Sequence, residues 1–190
     1  MNNRIPYNPS IIEPKWQKKW KDSKIYNVDL DSKNKENYFS LTMFPYPSGD
    51  LHIGHWYAFT PADSYSRFKK MKGFNVLHTQ GFDAFGLPAE NAAISRNINP
   101  MKWTFDNIDN MRGQFNLMGN SYDWTRELIT CTPEYYKWNQ FFFLKMYEKG
   151  IAYRKNGAVW WDPVEQTTLA NEQVVEGKSE RSGADVVRKM

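Results

Sequence analysis

A largely apolar run, Tyr38-Phe39-Ser40-Leu41-Thr42-Met43-Phe44, meets Pro45-Tyr46-Pro47-Ser48-Gly49, and a helical pattern begins only at Ile53. This junction limits the fold more than any other segment. Proline fixes φ and lacks an N–H, so neither strand nor helix can run through Pro45 and Pro47, and the chain must turn. A buried strand, a turn and a helix follow in that order, as in α/β folds. His52 and His55 fall on or beside the first helical turn, where unpaired N–H groups and the helix dipole favour an anion. Between them Gly54 lets a flat base or a phosphate approach the backbone. Such a pair also suits two satisfied polar residues at a helix start. The preceding strand, the prolines and a total of only three histidines tip the reading toward a phosphate site.

Asn75-Val76-Leu77-His78 reads as the next strand, and Gly81-Phe82-Asp83-Ala84-Phe85-Gly86-Leu87-Pro88-Ala89-Glu90 as a loop entering a helix. A carboxylate after a parallel strand lies at the carboxyl edge of the sheet, where open α/β folds bind ligands. Asp83 is therefore a candidate for holding a ligand ammonium. Gly-x-Asp is also ordinary turn chemistry, which leaves a turn aspartate as the other reading.

The run His52-Ile53-Gly54-His55 resembles the signature of the class I aminoacyl-tRNA synthetases, although several nucleotidyl transferases carry the looser His-x-Gly-His. The segment from Gly81 to Glu90 is similar to that of the leucine branch, with Phe82 in place of tryptophan. Ala84-Phe85 and Ala89-Glu90 separate it from the isoleucine enzymes. Met43-Phe44-Pro45-Tyr46-Pro47, Ile129-Thr130-Cys131-Thr132-Pro133-Glu134-Tyr135-Tyr136 and Leu169-Ala170-Asn171-Glu172-Gln173 resemble the same branch. The similarity runs from about Tyr7 to the end of the chain.

The resemblance implies the first half of a Rossmann-like, nucleotide-binding α/β domain with a parallel sheet, followed by the start of a connective insertion. It implies a ligase reaction in which leucine attacks ATP, pyrophosphate leaves, and the leucyl group passes to tRNA(Leu). On this reading His52 and His55 are catalytic and bind ATP together with Pro45 and Gly54, Met43, Phe44 and Tyr46 line the amino-acid pocket, and Asp83 binds the leucine ammonium. Mg2+ would accompany ATP, held by phosphates more than by protein. The family's zinc-ligand positions fall at Asp162, Lys178, Ser179 and Ser182, a poor ligand set, so no metal is expected. The branch's editing insertion, Lys-Met-Ser-Lys-Ser loop and anticodon domain do not occur in these 190 residues. An N-terminal fragment or truncated product is expected, weak or inactive alone and able to self-associate through an exposed half-fold. A non-catalytic nucleotide- or amino-acid-binding module is the alternative, with a small nucleotidyl transferase as a third.

The expected organisation is a docking helix and linker over residues 1–37, the half-domain over 38–150, and a β-hairpin with a degenerate zinc ribbon over 151–190. Pro9-Ser10 opens the first helix, with Trp16 and Trp20 on one face. Pro61 should kink or divide the helix from Ile53 to Met71. Asn99-Pro100 caps a helix whose stripe is Ile108, Met111, Phe115 and Met118, stopping at Gly119. Thr132-Pro133 starts another, with Tyr135, Trp138, Phe142 and Met146 inward. Ile151–Lys155 and Ala158–Trp161 flank Asn156-Gly157 and read as a tight hairpin. Cys131, the sole cysteine, excludes an internal disulfide and reads as a small buried residue. No apolar run approaches the ~18 residues of a membrane span, and the N-terminus lacks a secretory hydrophobic stretch, so a soluble, cytoplasmic protein is expected. A net charge of +4 suits a phosphate-bearing partner without requiring one.

Overall fold

The structure, a computed structural model, describes residues 6–190. They divide into two compact units, one ending at Asn139 and one running from Gln140 to Met190.

In the first unit, strand β1 (Asn37–Ser40) lies parallel to β2 (Asn75–His78), and α2 (Ile53–Met71) connects them and packs on both. Parallel neighbours cannot be joined by a tight turn, and a helix supplies the crossover. The chain then changes partner. Asp123 N–H donates to His78 O at 2.8 Å, and β3 (Gly81–Phe82) runs parallel to β4 (Leu128–Ile129). Between β3 and β4 come α3 (Leu87–Ser95) and α4 (Pro100–Met118). The α4 boundaries follow local chemistry: Asn99 Oδ1 accepts from the N–H groups of Met101 and Lys102, and Gly119 ends the helix at φ 72°.

Phe59 of α2, Phe82, Ala84, the α4 stripe Ile108, Met111 and Phe115, and Tyr122 form the core. Full burial of each large side chain contributes roughly 1.5–3 kcal/mol. A polar layer lies beside this core. Asp63 Oδ1 accepts from Ser121 N–H at 2.5 Å and Ser121 Oγ at 2.6 Å, while Asp63 Oδ2 accepts from Arg67 Nε at 2.8 Å. His78 stands 3.8 Å from Asp63, yet burial pushes its imidazole down to about 4. Asp123, fully buried, accepts from Val28 N–H at 3.0 Å and Thr125 Oγ1 at 2.6 Å. The segment after α1 (Pro9–Asp22) is thus tied to the half-domain, and Asn75 Nδ2 adds a bond to Asp29 O at 2.7 Å.

Several expectations need correction. The first strand stops at Ser40 and is not buried throughout: Tyr38 meets Tyr65 of α2, whereas Phe39 on the opposite face is exposed. Pro61 does not divide α2, because Phe59, Asp63 and Ser66 are buried on both sides of it and only one N–H is lost. Trp20 packs near Tyr26 and beneath the Arg67 guanidinium, but Trp16 is exposed, so the two tryptophans do not form a buried pair. Cys131 is half-buried at the core's margin. Helix α5 (Pro133–Glu148) has no buried residue among those described, and Trp138, Phe142 and Met146 are exposed where an inward stripe was expected.

In the second unit, β5 (Val159–Asp162) lies between β6 (Thr167–Leu169) and β9 (Val187–Lys189), antiparallel to both. Strands β7 (Val174–Val175) and β8 (Lys178–Ser179) form a second pair. The hairpin expected around Asn156-Gly157 does not form, since residues 151–155 make no strand. A stronger local turn wins one strand later. Asp162 Oδ1 accepts from the N–H groups of Val164 at 2.8 Å and Glu165 at 3.1 Å, which folds β6 back onto β5.

Candidate functional site

At the carboxyl ends of β1 and β3 the first unit holds a cavity of about 520 Å³. Six residues singled out from the sequence line it: Met43, Phe44, Pro45, Tyr46, His55 and Asp83. Backbone pairing brings them together. Asp83 N–H donates to Pro45 O at 3.0 Å, so the segment after β1 lies against the segment after β3. Gly81 allows that approach, because a Cβ there would sit 2.5 Å from Leu128 O and 2.9 Å from the Phe44 ring. Side chains from sequence positions forty apart thereby face one space.

His52 is the N-cap of α2 and is exposed, outside the cavity lining. It is coupled to His55 by reciprocal capping. Gly54 N–H donates to His52 Nδ1 at 3.1 Å, and His52 N–H donates to His55 Nδ1 at 3.0 Å. An Nδ1 that accepts a bond carries no proton, so in each neutral ring the proton is on Nε2. Both rings can donate from Nε2 without further rearrangement. Their centroids are 4.0 Å apart, and His55 also stacks on buried Phe59 at 5.8 Å. Burial first, then the neighbouring His52, lowers the His55 pKa from its ordinary value, which keeps that ring neutral at pH 7. Gly54 has a local reason too: a Cβ would approach His52 Cε1 to 2.9 Å, so the small residue makes room for the capping ring. The turn before the helix is pinned to α4, where Gln114 Oε1 accepts from Leu51 N–H at 2.8 Å and Gln114 Nε2 donates to Asp50 Oδ1 at 2.9 Å.

Four lining residues are not among the site residues to which the sequence points: Phe85, Thr130, Tyr135 and Asn139. Thr130 ends the β4 segment, and Tyr135 and Asn139 are one helical turn apart on α5. The one signal that could have found Thr130 and Tyr135 is that both lie in the stretch from Ile129 to Tyr136, which was matched as a run without roles.

No group of three or more His, Cys, Asp or Glu suited to a metal occurs among the described residues. At the expected ribbon the donor set is wrong for zinc. The fully buried Asp162 carboxylate accepts from two backbone N–H groups and from Ser182 Oγ at 2.6 Å, leaving no thiolate or imidazole to complete a tetrahedron. The hydroxyls of Ser179 and Ser182 hold this carboxyl well below its usual range, to about 2.

The fold marks a Rossmann-like α/β domain, and residues 38–187 match the family described as tRNA synthetases class I (M). The chain belongs to that family. It is similar to leucine enzymes. It is 57% identical over 183 residues to the leucine--tRNA ligase of Thermosipho melanesiensis and 55% identical to that of Deinococcus radiodurans, covering 96% of this chain and 22% of each relative. The leucine--tRNA ligase subunit alpha of Aquifex aeolicus is 55% identical, with 28% of its length covered. The chain thus spans 22–28% of the length of these relatives. Among solved structures it resembles a LeuRS of Agrobacterium radiobacter K84, in a ternary complex with tRNA and LeuAMS, with TM-score 0.90 and 44% identity over 97% of this chain and 24% of that one. It shares its fold with Mycobacterium tuberculosis methionyl-tRNA synthetase, TM-score 0.66, at 22% identity over 81% of this chain and 31% of that one.

Proposed function

We propose that this chain supplies the leucine- and ATP-binding half of a leucine--tRNA ligase site, which joins leucine to AMP and passes the leucyl group to tRNA(Leu). The observation that carries this reading is one cavity lined by both Asp83 and His55, together with Met43, Phe44 and Tyr46. The Asp83 carboxylate holds the leucine ammonium, and the apolar and aromatic rings enclose the branched side chain. Pro45 and Gly54 lie along the nucleotide, and the Nε2–H groups of His52 and His55 donate to phosphate oxygens.

Leucine's carboxylate then attacks the α-phosphorus in line, forming the mixed anhydride and expelling pyrophosphate. No covalent enzyme intermediate is needed. The site's contribution is positioning, together with donors aimed at charge that grows on the phosphate. A neutral His55 imidazole serves this role without a proton having to move. Mg2+ enters with ATP, coordinated mainly by phosphate oxygens. The second unit is read as a metal-free ribbon closed by Asp162. We assign the reaction to the cytoplasm as part of the same reading. No described helix is long and apolar enough to cross a membrane. Exposed Phe39 and Leu41 in the first unit, and Phe142 and Phe143 in the second, favour self-association when uncovered.

ATP–pyrophosphate exchange, run with leucine and then isoleucine, valine and methionine, tests the reading. Leucine-selective exchange is expected, at a low rate because Lys-Met-Ser-Lys-Ser does not occur in these residues. Exchange that ignores the amino acid would refute it, and leucine binding without exchange in a preparation supplied with the remaining catalytic parts would favour a non-catalytic module.

A further inference from the structure

We propose that Thr130 is a positioning residue for amine recognition, fixing the Asp83 carboxylate in the orientation that receives the substrate ammonium. The inference rests on Asp83 as the amine anchor and adds the device that aims it. Asp83 is half-buried on the cavity wall, and a free aspartate side chain has several staggered orientations available. Two backbone bonds and one hydroxyl restrict it. Asp83 N–H donates to Pro45 O at 3.0 Å, and Thr130 N–H donates to Phe82 O at 3.1 Å. The Thr130 hydroxyl works in both directions: it accepts from Ala84 N–H at 2.8 Å and donates to Asp83 Oδ1 at 3.3 Å.

That bifunctional use assigns the hydroxyl a direction. Because the Ala84 N–H occupies a lone pair of Oγ1, the hydroxyl proton is free to point to the carboxylate. One oxygen of Asp83 is then held against the β4 segment, and the second remains available to the cavity. Thr130 lines the same cavity, so the aiming group and the anchor stand on one wall. The β-branch of threonine adds stiffness at χ1, which a more mobile hydroxyl would lack.

Thr130→Val keeps the shape and removes both hydroxyl bonds. Titration of the 190-residue chain with leucine and with 4-methylpentanoate, which lacks the amine, separates aiming from packing. Thr130→Val is expected to weaken leucine ~10-fold, the loss of about one charge-assisted hydrogen bond, and to leave 4-methylpentanoate and ATP unchanged. Thr130→Ser should recover leucine affinity to within about threefold. Combined with Asp83→Asn, the valine substitution should add nothing further, because both act on one interaction. If the valine variant melts too low to assay, Thr130→Ala carries the same expectations. Equal weakening of leucine and 4-methylpentanoate, additivity in the double variant, or unchanged leucine affinity overturns the role of Thr130 alone. A parent chain that does not prefer leucine over 4-methylpentanoate overturns the Asp83 anchor, and this inference with it.

Discussion

The cavity-bearing unit and the ribbon from Gln140 to Met190 are organised by different means. In the first, an apolar core of Phe59, Phe82, Ile108, Met111 and Phe115 sets the strand ends, and backbone hydrogen bonds then aim a few polar groups. In the second, short strands surround one buried carboxylate, Asp162, whose bonds to backbone and hydroxyl close the turn. Precision in the first unit comes from redundancy, whereas the second depends on a single side chain. A substitution at Asp162 should therefore be felt at the one turn it closes, whereas one that forces the first unit's strands apart should be felt across that unit.

The largest effect is expected at Gly81. Its added Cβ in Gly81→Ala would meet Leu128 O at 2.5 Å, a backbone atom that cannot swing aside, as well as the Phe44 ring. Destabilisation of about 3 kcal/mol, read from urea unfolding of the first unit, would follow from forced separation of β3 and β4. His55→Ala comes next. Any leucine-dependent exchange should fall ~10²–10³-fold, the usual cost of removing a donor aimed at developing charge.

His78 tests the polar layer. Its folded pKa is pushed down to about 4 by burial, against about 6.5 when unfolded, so the unfolded chain takes up the proton first. The stabilisation is complete above about pH 6.5 and is lost as pH falls toward 4, with a total on the order of 3 kcal/mol. Melting followed across that window should show the slope, and His78→Asn should flatten it.

Asp162 sharpens the contrast at lower pH. Because its folded pKa is depressed, its contribution is present above about pH 4 and disappears as pH falls through about 2. Asp162→Ala should abolish amide protection at Val164 and Glu165 while leaving the first unit's protection intact. Added zinc should restore nothing. Stoichiometric zinc in the purified parent would contradict the metal-free ribbon. The smallest effect concerns the exposed rings: Phe142→Ser should reduce concentration-dependent association in sedimentation, and a strictly monodisperse parent would remove the premise.

Elements with both ends written locally were legible in the sequence. Helix α4 is an example, with Asn99 and Pro100 at its start, Gly119 at its stop and a stripe at helical spacing between them. Strand β2 was legible for a similar reason. The hairpin at Asn156-Gly157 failed because strand pairing is a non-local choice: Trp160 pairs with Leu169 and Arg188, and no two-residue turn motif encodes that. Aromatic content misled at α5, since ring spacing gives a face but not what covers it. At the site, the resemblance carried His55, Asp83 and the pocket residues to positions that line one cavity. It did not disclose Thr130, whose role arises only when β3 and β4 stand side by side, nor the reciprocal capping that sets both histidine tautomers.

The most direct measurement is a two-ligand titration of the isotope-labelled chain, following backbone amides while leucine and ATP are added separately and together. Leucine should move Asp83, Ala84 and Thr130, ATP should move Gly54 and His55, and the two sets should sharpen cooperatively when both ligands are present, with isoleucine a weaker substitute. Shifts from the two ligands that fall in unconnected places, or a response to isoleucine equal to that for leucine, would contradict a single cavity joining an amine anchor to phosphate donors.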